Sequence, residues 1–356
     1  KIQFHLYQIS ICQRRVLYSL TINSVIEMCD HLNGLNAFDT YYMMIYPPIW
    51  IILGFFNNII IFILMTFKLR KRKSSQDHVT IYYWFLSIGD ILSCSFQMLP
   101  KWVIGTFKID IYSMSEIACY ILPRFIPYTA GDFSIWLVVL MTVDRFMRIY
   151  FPVRFKIIFS YRNVIISLLV LILIALLKNW VYLFENSFER NCQFNNKSIV
   201  SSYFENGSIF ILSMVFVALI PVLSVAVLNT FILIKWKKLF PKLKNLQTNS
   251  NSQRNSIKVF LAISLSFSFC LTPYFVVLPF SNYSFSNDCN KLIYWAIFDF
   301  TQSIFFVNHF MNLYFYILLS KSYRIELLNL WRKLCRNKFG GQVEPLSTRR
   351  KFYDRP

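Results

Sequence analysis

Asp90 is the residue that asks most of its surroundings. It stands in an apolar run at 79–99, where an ionised carboxylate must be paired, ligated or protonated. Depth along each such run follows from 1.5 Å of helix rise per residue, counted from the charged end of the run. Asp90 lies twelve residues beyond His78, roughly 18 Å deep, and Asn58 lies ten before Lys68, roughly 15 Å. Ser134 precedes Asp144 by ten, about 15 Å, while Asn312 and Asn308 precede Lys321 by nine and thirteen, about 13 and 20 Å. The spacing predicts that these five polar groups, drawn from four runs, converge on one site. A carboxylate ringed by amide and hydroxyl oxygens suits a small hard cation, or a proton taken up on switching. Separate interhelical hydrogen bonds, worth about 0.6–2 kcal/mol each, are the plainer reading, and for Asn58 alone the default one.

Asp144-Arg145-Phe146 closes another apolar run, ahead of Tyr150-Phe151-Pro152. An Asp-Arg pair at a helix end is ordinarily a solvated ion pair worth under about 1 kcal/mol; its position at the border of a span gives it weight. Toward the opposite ends of the runs lie Gln97, Arg124, Tyr128, Asp132, Trp295 and Asp299. Carboxylates among aromatic faces suit a ligand that carries a basic and an aromatic group. Asp132 and Arg124 could equally satisfy each other.

Positioning these residues takes seven helices, at 46–67, 79–99, 121–143, 164–184, 208–234, 257–280 and 292–319. Each run has the ~20 apolar residues that cross roughly 30 Å of hydrocarbon, and none shows the alternation of an outer-membrane barrel strand. A composition 56% hydrophobic and 19% aromatic agrees. The expectation is an all-α membrane protein. It comprises an extracellular N-terminal segment at 1–45, a seven-transmembrane helix bundle at 46–319, a short amphipathic eighth helix at 320–335 and a cytoplasmic tail at 336–356, with the lipid bilayer as a partner.

The net charge of +20 would suit nucleic acid if it formed one patch, but it is distributed by loop. Lys68, Arg70, Lys71, Arg72 and Lys73 follow the first span, and Arg148, Arg154, Lys156 and Arg162 follow the third. Lys235, Lys237, Lys238, Lys242, Lys244 and Arg254 follow the fifth without any acid. The positive-inside rule places these loops in the cytoplasm, so the N-terminus is outside, the C-terminus inside, and nucleic acid is not a partner. The sequons at Asn196, Asn206 and Asn282 all fall in loops assigned to the outside, as glycosylation requires. Cys119 and Cys192 share the oxidising side and could bridge or stay free, while Cys94 and Cys270 read as small buried hydrophobes. Cys289 with Cys12 or Cys29 is a further candidate bridge. Cys335, beside the inner leaflet, is a palmitoylation candidate.

Other classes find little support. His5, His31, His78 and His309 are scattered, with no metal-hydrolase motif, so no catalytic residue, no enzyme activity, no metal centre and no cofactor are expected. A transporter would show inverted repeats and a channel a charge-lined pore; neither is evident.

From about residue 46 to 335 the chain resembles the rhodopsin-like (class A) G-protein-coupled receptor family. Gly54-Phe55-Phe56-Asn57-Asn58 resembles the first-span signature, and Leu86-Ser87-Ile88-Gly89-Asp90 the second-span motif that ends in a sodium-site aspartate. Asp144-Arg145-Phe146 stands for Asp-Arg-Tyr, Cys270-Leu271-Thr272-Pro273 for Cys-Trp-x-Pro, and Asn312-Leu313-Tyr314-Phe315-Tyr316 for Asn-Pro-x-x-Tyr. Pro100 and Pro221 match helix-kinking prolines, and Tyr323-Arg324 the start of the eighth helix. The resemblance implies a Cys119–Cys192 bridge, an allosteric sodium ion at Asp90, and a switch made of Asp144, Arg145, Pro273, Asn312 and Tyr316. In that switch Arg145 parts from Asp144 as the sixth helix pivots, opening a cavity for a heterotrimeric G protein.

Departures from the family pattern are informative. Leu271 replaces the tryptophan, so Phe269 or Tyr274 is expected to take its packing role. Leu313 replaces the seventh-span proline, and Asn229 stands where many members have tyrosine. Such departures resemble invertebrate FMRFamide-type peptide receptors. The interval from Cys119 to Arg145 is one residue longer than usual. Pro127 or Ile126 occupies the place of the amine-receptor carboxylate and Phe306 that of the opsin lysine, which disfavours amines and light. An extracellular neuropeptide is the expected ligand, with a small-molecule chemosensory receptor of the same fold as the rival.

Overall fold

The computed structural model describes residues 22–71, 78–109, 121–183, 188–189, 193–194, 214–244, 250–282 and 288–339. Six helices in it are long and apolar enough to cross a membrane: Met44–Arg70, His78–Phe107, Ile126–Tyr150, Tyr161–Asn179, Val215–Lys238 and Ile257–Phe280. Ile293–Leu319, continued by Tyr323–Arg332 at 98°, makes the seventh. These are spans one to seven. Their side chains divide as a bilayer demands: Leu137, Phe260, Phe267 and Leu271 are buried between helices, while Leu173, Leu177 and Phe269 face outward. The third span is the axis of the bundle, with 61% of its apolar window buried against 17% for the fourth.

The first helix begins well before the expected span. It runs Ile22–Lys71, straight through Pro47 and Pro48, so helix occupies much of a segment to which the sequence assigned no fold. Span two also continues past its expected end at residue 99, to Phe107, where Lys108 adopts the left-handed conformation (φ 56°) and its N–H bonds the Ile104 carbonyl at 3.1 Å. Proline explains how. Its ring clashes with the carbonyl four residues back and it lacks an N–H, yet Pro100, Pro127 and Pro221 each follow a π-helical turn by two residues. Those turns are Cys94–Met98, Ile121–Phe125 and Val215–Leu219. The wider turn holds the residue four back in each case, so the helix bulges instead of ending.

Small residues set the closest helix approaches. A Cβ on Gly89 would run into Ser134 Oγ, and one on Gly54 would meet Cys94 Sγ at 2.6 Å, so glycine lets span two lie this close to spans three and one without displacing those side chains. At the end of span seven, Arg324 Nη1 donates to the carbonyls of Ile317 (2.8 Å) and Leu318 (3.1 Å). That satisfies acceptors the helix leaves orphaned and starts the amphipathic helix Lys321–Phe339, which is a turn longer than the expected 320–335. A two-stranded antiparallel ribbon, β1 (Phe188–Glu189) and β2 (Gln193–Phe194), pairs Phe188 with Phe194.

Candidate functional site

Three polar constellations occupy the bundle, at its middle and at its two ends. In the middle, Asp90 is buried with both oxygens engaged: Oδ1 lies 2.8 Å from His309 Nδ1, and Oδ2 accepts from Asn312 Nδ2 at 2.9 Å. The other expected members reach this centre differently. Asn58 does not turn its side chain to Asp90; its Nδ2 donates to the carbonyls of His309 (2.6 Å) and Gly54 (2.8 Å). Asn57 likewise holds the Phe310 carbonyl at 3.2 Å, so span one clamps the backbone of span seven. Ser134 and Asn308 line a void of about 10 Å³ beside Asn312, and Ser134 Oγ has no hydrogen-bond partner among the described residues.

His309 was not anticipated at this centre. It stands three residues before Asn312, one turn along the same face, and it is the nearest partner Asp90 has. Donors hold both carboxylate oxygens, and the void is lined by no carboxylate. The oxygen cage a hard cation needs is therefore not what surrounds Asp90, and the sodium fit fails on geometry.

At the second constellation, Asp144 and Arg145 lie within the third helix, which continues to Tyr150, and both are buried, so they are not a solvated pair. They make no direct ion-pair contact, although Arg145 is the cation whose charge Asp144 feels most. Asp144 Oδ2 is 3.6 Å from Arg148 Nη2, one turn on, and Oδ1 accepts from Tyr82 at 3.4 Å. Adjacent helical residues point about 100° apart, which is why Arg148 rather than Arg145 reaches the carboxylate. Arg145, 5% exposed, lies under span six with its guanidinium 5.8 Å from the Phe260 ring, and its Nη2 lacks a partner among the described residues. Tyr316 is buried edge-on to Tyr83 (4.8 Å) and beside Tyr323 (5.0 Å). Asn229 Nδ2 donates to Ser264 Oγ at 2.9 Å, joining spans five and six.

Around the missing tryptophan, Phe269 is 75% exposed and faces away from the bundle. Tyr274 packs instead, against Phe305 (5.3 Å) and Phe298 (5.5 Å), below Pro273 in the same helix. The two alternatives offered by sequence thus resolve in favour of Tyr274.

At the third constellation, the two expected anchoring carboxylates are already neutralised. Asp299 Oδ1 pairs with Lys101 at 2.6 Å, and Lys101 also donates to Gln302. Asp132 turns to span four, where Lys178 and Asn179 both reach its Oδ2 at 2.8 Å. Trp295 packs on Phe298 (5.4 Å) and Tyr294 (5.2 Å), one turn from Asp299. Tyr128 is exposed and Gln97 half-buried in its π turn. Tyr42 of the first helix donates to the Asp299 carbonyl at 2.9 Å and bonds Ser303, closing that edge. Lys101, Gln302, Lys178 and Asn179 were not anticipated.

Cys119, Cys192, Asn196 and Asn206 lie outside the described residues, as do the side chains of Arg124, Asn282 and Cys335. No curated protein matches the chain in sequence. The family model for the 7 transmembrane receptor (rhodopsin family) matches residues 57–316, an interval that runs from the first-span clamp to Tyr316 and contains all three constellations apart from Tyr42. The chain is a multi-pass membrane receptor that belongs to the rhodopsin family of seven-transmembrane receptors.

Proposed function

We propose that this receptor binds an extracellular peptide at the Asp299 end of the bundle and, at the Arg145 end, activates a heterotrimeric G protein. The observation that carries the coupling is Arg145: a buried cation roofed by Phe260, on a helix that also contains Pro273. A movement of span six at Pro273 would uncover the guanidinium. The release is from contact with Phe260 and from the field of Asp144, which keeps Arg148 at 3.6 Å. Tyr316 would then follow Arg145 inward.

The basic loops, the sequons at Asn196, Asn206 and Asn282 and the candidate Cys119–Cys192 bridge support an outside N-terminus. Cys335 would be a lipid anchor at the inner leaflet. For the ligand, the aromatic cluster of Tyr274, Tyr294, Trp295 and Phe298 adjoins the Lys101–Asp299 pair, which suits a peptide offering an aromatic ring and a charged group. The departures at Leu313 and Asn229 resemble the FMRFamide-type subgroup, which is the ligand class this reading takes. Moving the population from 1:99 to 99:1 requires the ligand to prefer the open form by roughly 5.5 kcal/mol.

Expression with a promiscuous G protein and a calcium readout against amidated peptides tests the reading; responses confined to odorants would favour the small-molecule rival. Arg145→Ala is expected to abolish agonist-driven nucleotide exchange with surface expression retained. Unchanged exchange would refute the coupling role.

A further inference from the structure

We infer that this receptor is built without a sodium site, because the His309 imidazole takes both the space and the carboxylate oxygen at Asp90 that a small hard cation would need. The inference goes beyond the ligand and coupling reading and does not rest on it.

Three features of the middle constellation carry it. First, nitrogen atoms at 2.8 and 2.9 Å occupy both Asp90 oxygens. A cation takes about six oxygen ligands, and an N–H aimed at the same carboxylate repels it. Second, the ring is fixed. It is buried against Phe305 (5.2 Å) and Phe306 (5.7 Å), its own carbonyl is held by Asn58 at 2.6 Å, and the void it borders, about 10 Å³, has room for a water but not for the imidazole to swing into. Third, the neighbouring void of about 10 Å³ has no charged wall: Ser134, Asn308, His309 and Asn312 are its polar lining, and the rest is apolar, including Phe267 and Leu271. Burying a cation there without a counter-charge is prohibitive. The space matches one water, and Ser134 Oγ and His309 Nε2 are buried atoms without partners among the described residues.

The test is thermal unfolding of the purified, ligand-free receptor in sodium chloride against choline chloride at equal ionic strength. Neither agonist nor G protein is present, so failure here is distinct from failure of the proposed function. The wild type is expected to unfold at the same temperature in both salts. His309→Ser frees one carboxylate oxygen and adds a hydroxyl, and should gain a sodium-specific rise of about 2–5 °C, what a site filled well above its Kd provides. A wild-type rise in sodium that Asp90→Asn removes would overturn the inference. A folded His309→Ser as indifferent to sodium as a silent wild type would overturn the part given to His309. Should His309→Ser fail to fold, His309→Ala gives the same reading, and the wild-type comparison still decides.

Discussion

Lys178 and Asp132 show how a single buried charge is settled inside an apolar bundle. Breaking a fully buried pair costs about 3–5 kcal/mol; here the lysine side chain is 25% exposed and Asn179 remains on the carboxylate, so Lys178→Met should cost on the order of 2 kcal/mol. The expected result is a lower unfolding temperature for the single variant, largely recovered in Asp132→Asn/Lys178→Met. A single variant as stable as the wild type would mean the pair carries no stability. Both partners were legible in principle, since an ionisable residue within a span at 164–184 demands a counterpart. His309 was legible too, three residues from Asn312 on one helix face. Lys101 was not: Pro100 reads as the end of a span, and only the π turn before it keeps the lysine in the helix and within reach of Asp299.

Among the described residues, the bond from Asn229 to Ser264 is the side-chain hydrogen bond that ties span six to span five in the interior. Interhelical hydrogen bonds of this kind contribute about 0.6–2 kcal/mol, enough to shift a two-state equilibrium several-fold. Ser264→Ala should therefore raise agonist-independent nucleotide exchange about three- to tenfold, read at matched surface expression. Basal exchange equal to wild type would show that the contact does not bias the two states. The existence and order of the spans were legible because hydropathy over twenty residues is a strong signal. Their ends were not, because caps such as Ser160, whose Oγ accepts from the Asn163 N–H, turn on single side chains. Nor were the pairings at Asp144: sequence proximity suggested Arg145, whereas helical geometry selects Arg148.

For the molecule as a whole, sidedness makes the prediction. Receptor made in a glycosylating host should lose apparent mass on treatment with an N-glycosidase, and Asn→Gln changes at 196, 206 and 282 together should abolish that shift. A shift that persists in the triple variant would place the sugars elsewhere and reopen the orientation. Charge distribution made this much legible, whereas the identity of the ligand stays hidden in pairings such as Lys101 with Asp299 that no linear pattern displays. The π turn at Ile121–Phe125 has its own bearing on how such a receptor diverges. One extra amino acid upstream of Arg145 is taken up in the wider turn, so the residues on either side keep their facing instead of rotating by the roughly 100° that an added residue imposes on a regular helix. Insertions and deletions at that point can thus be absorbed within one turn, reshaping the rim of the vestibule there, while the machinery at the far pole is inherited unaltered.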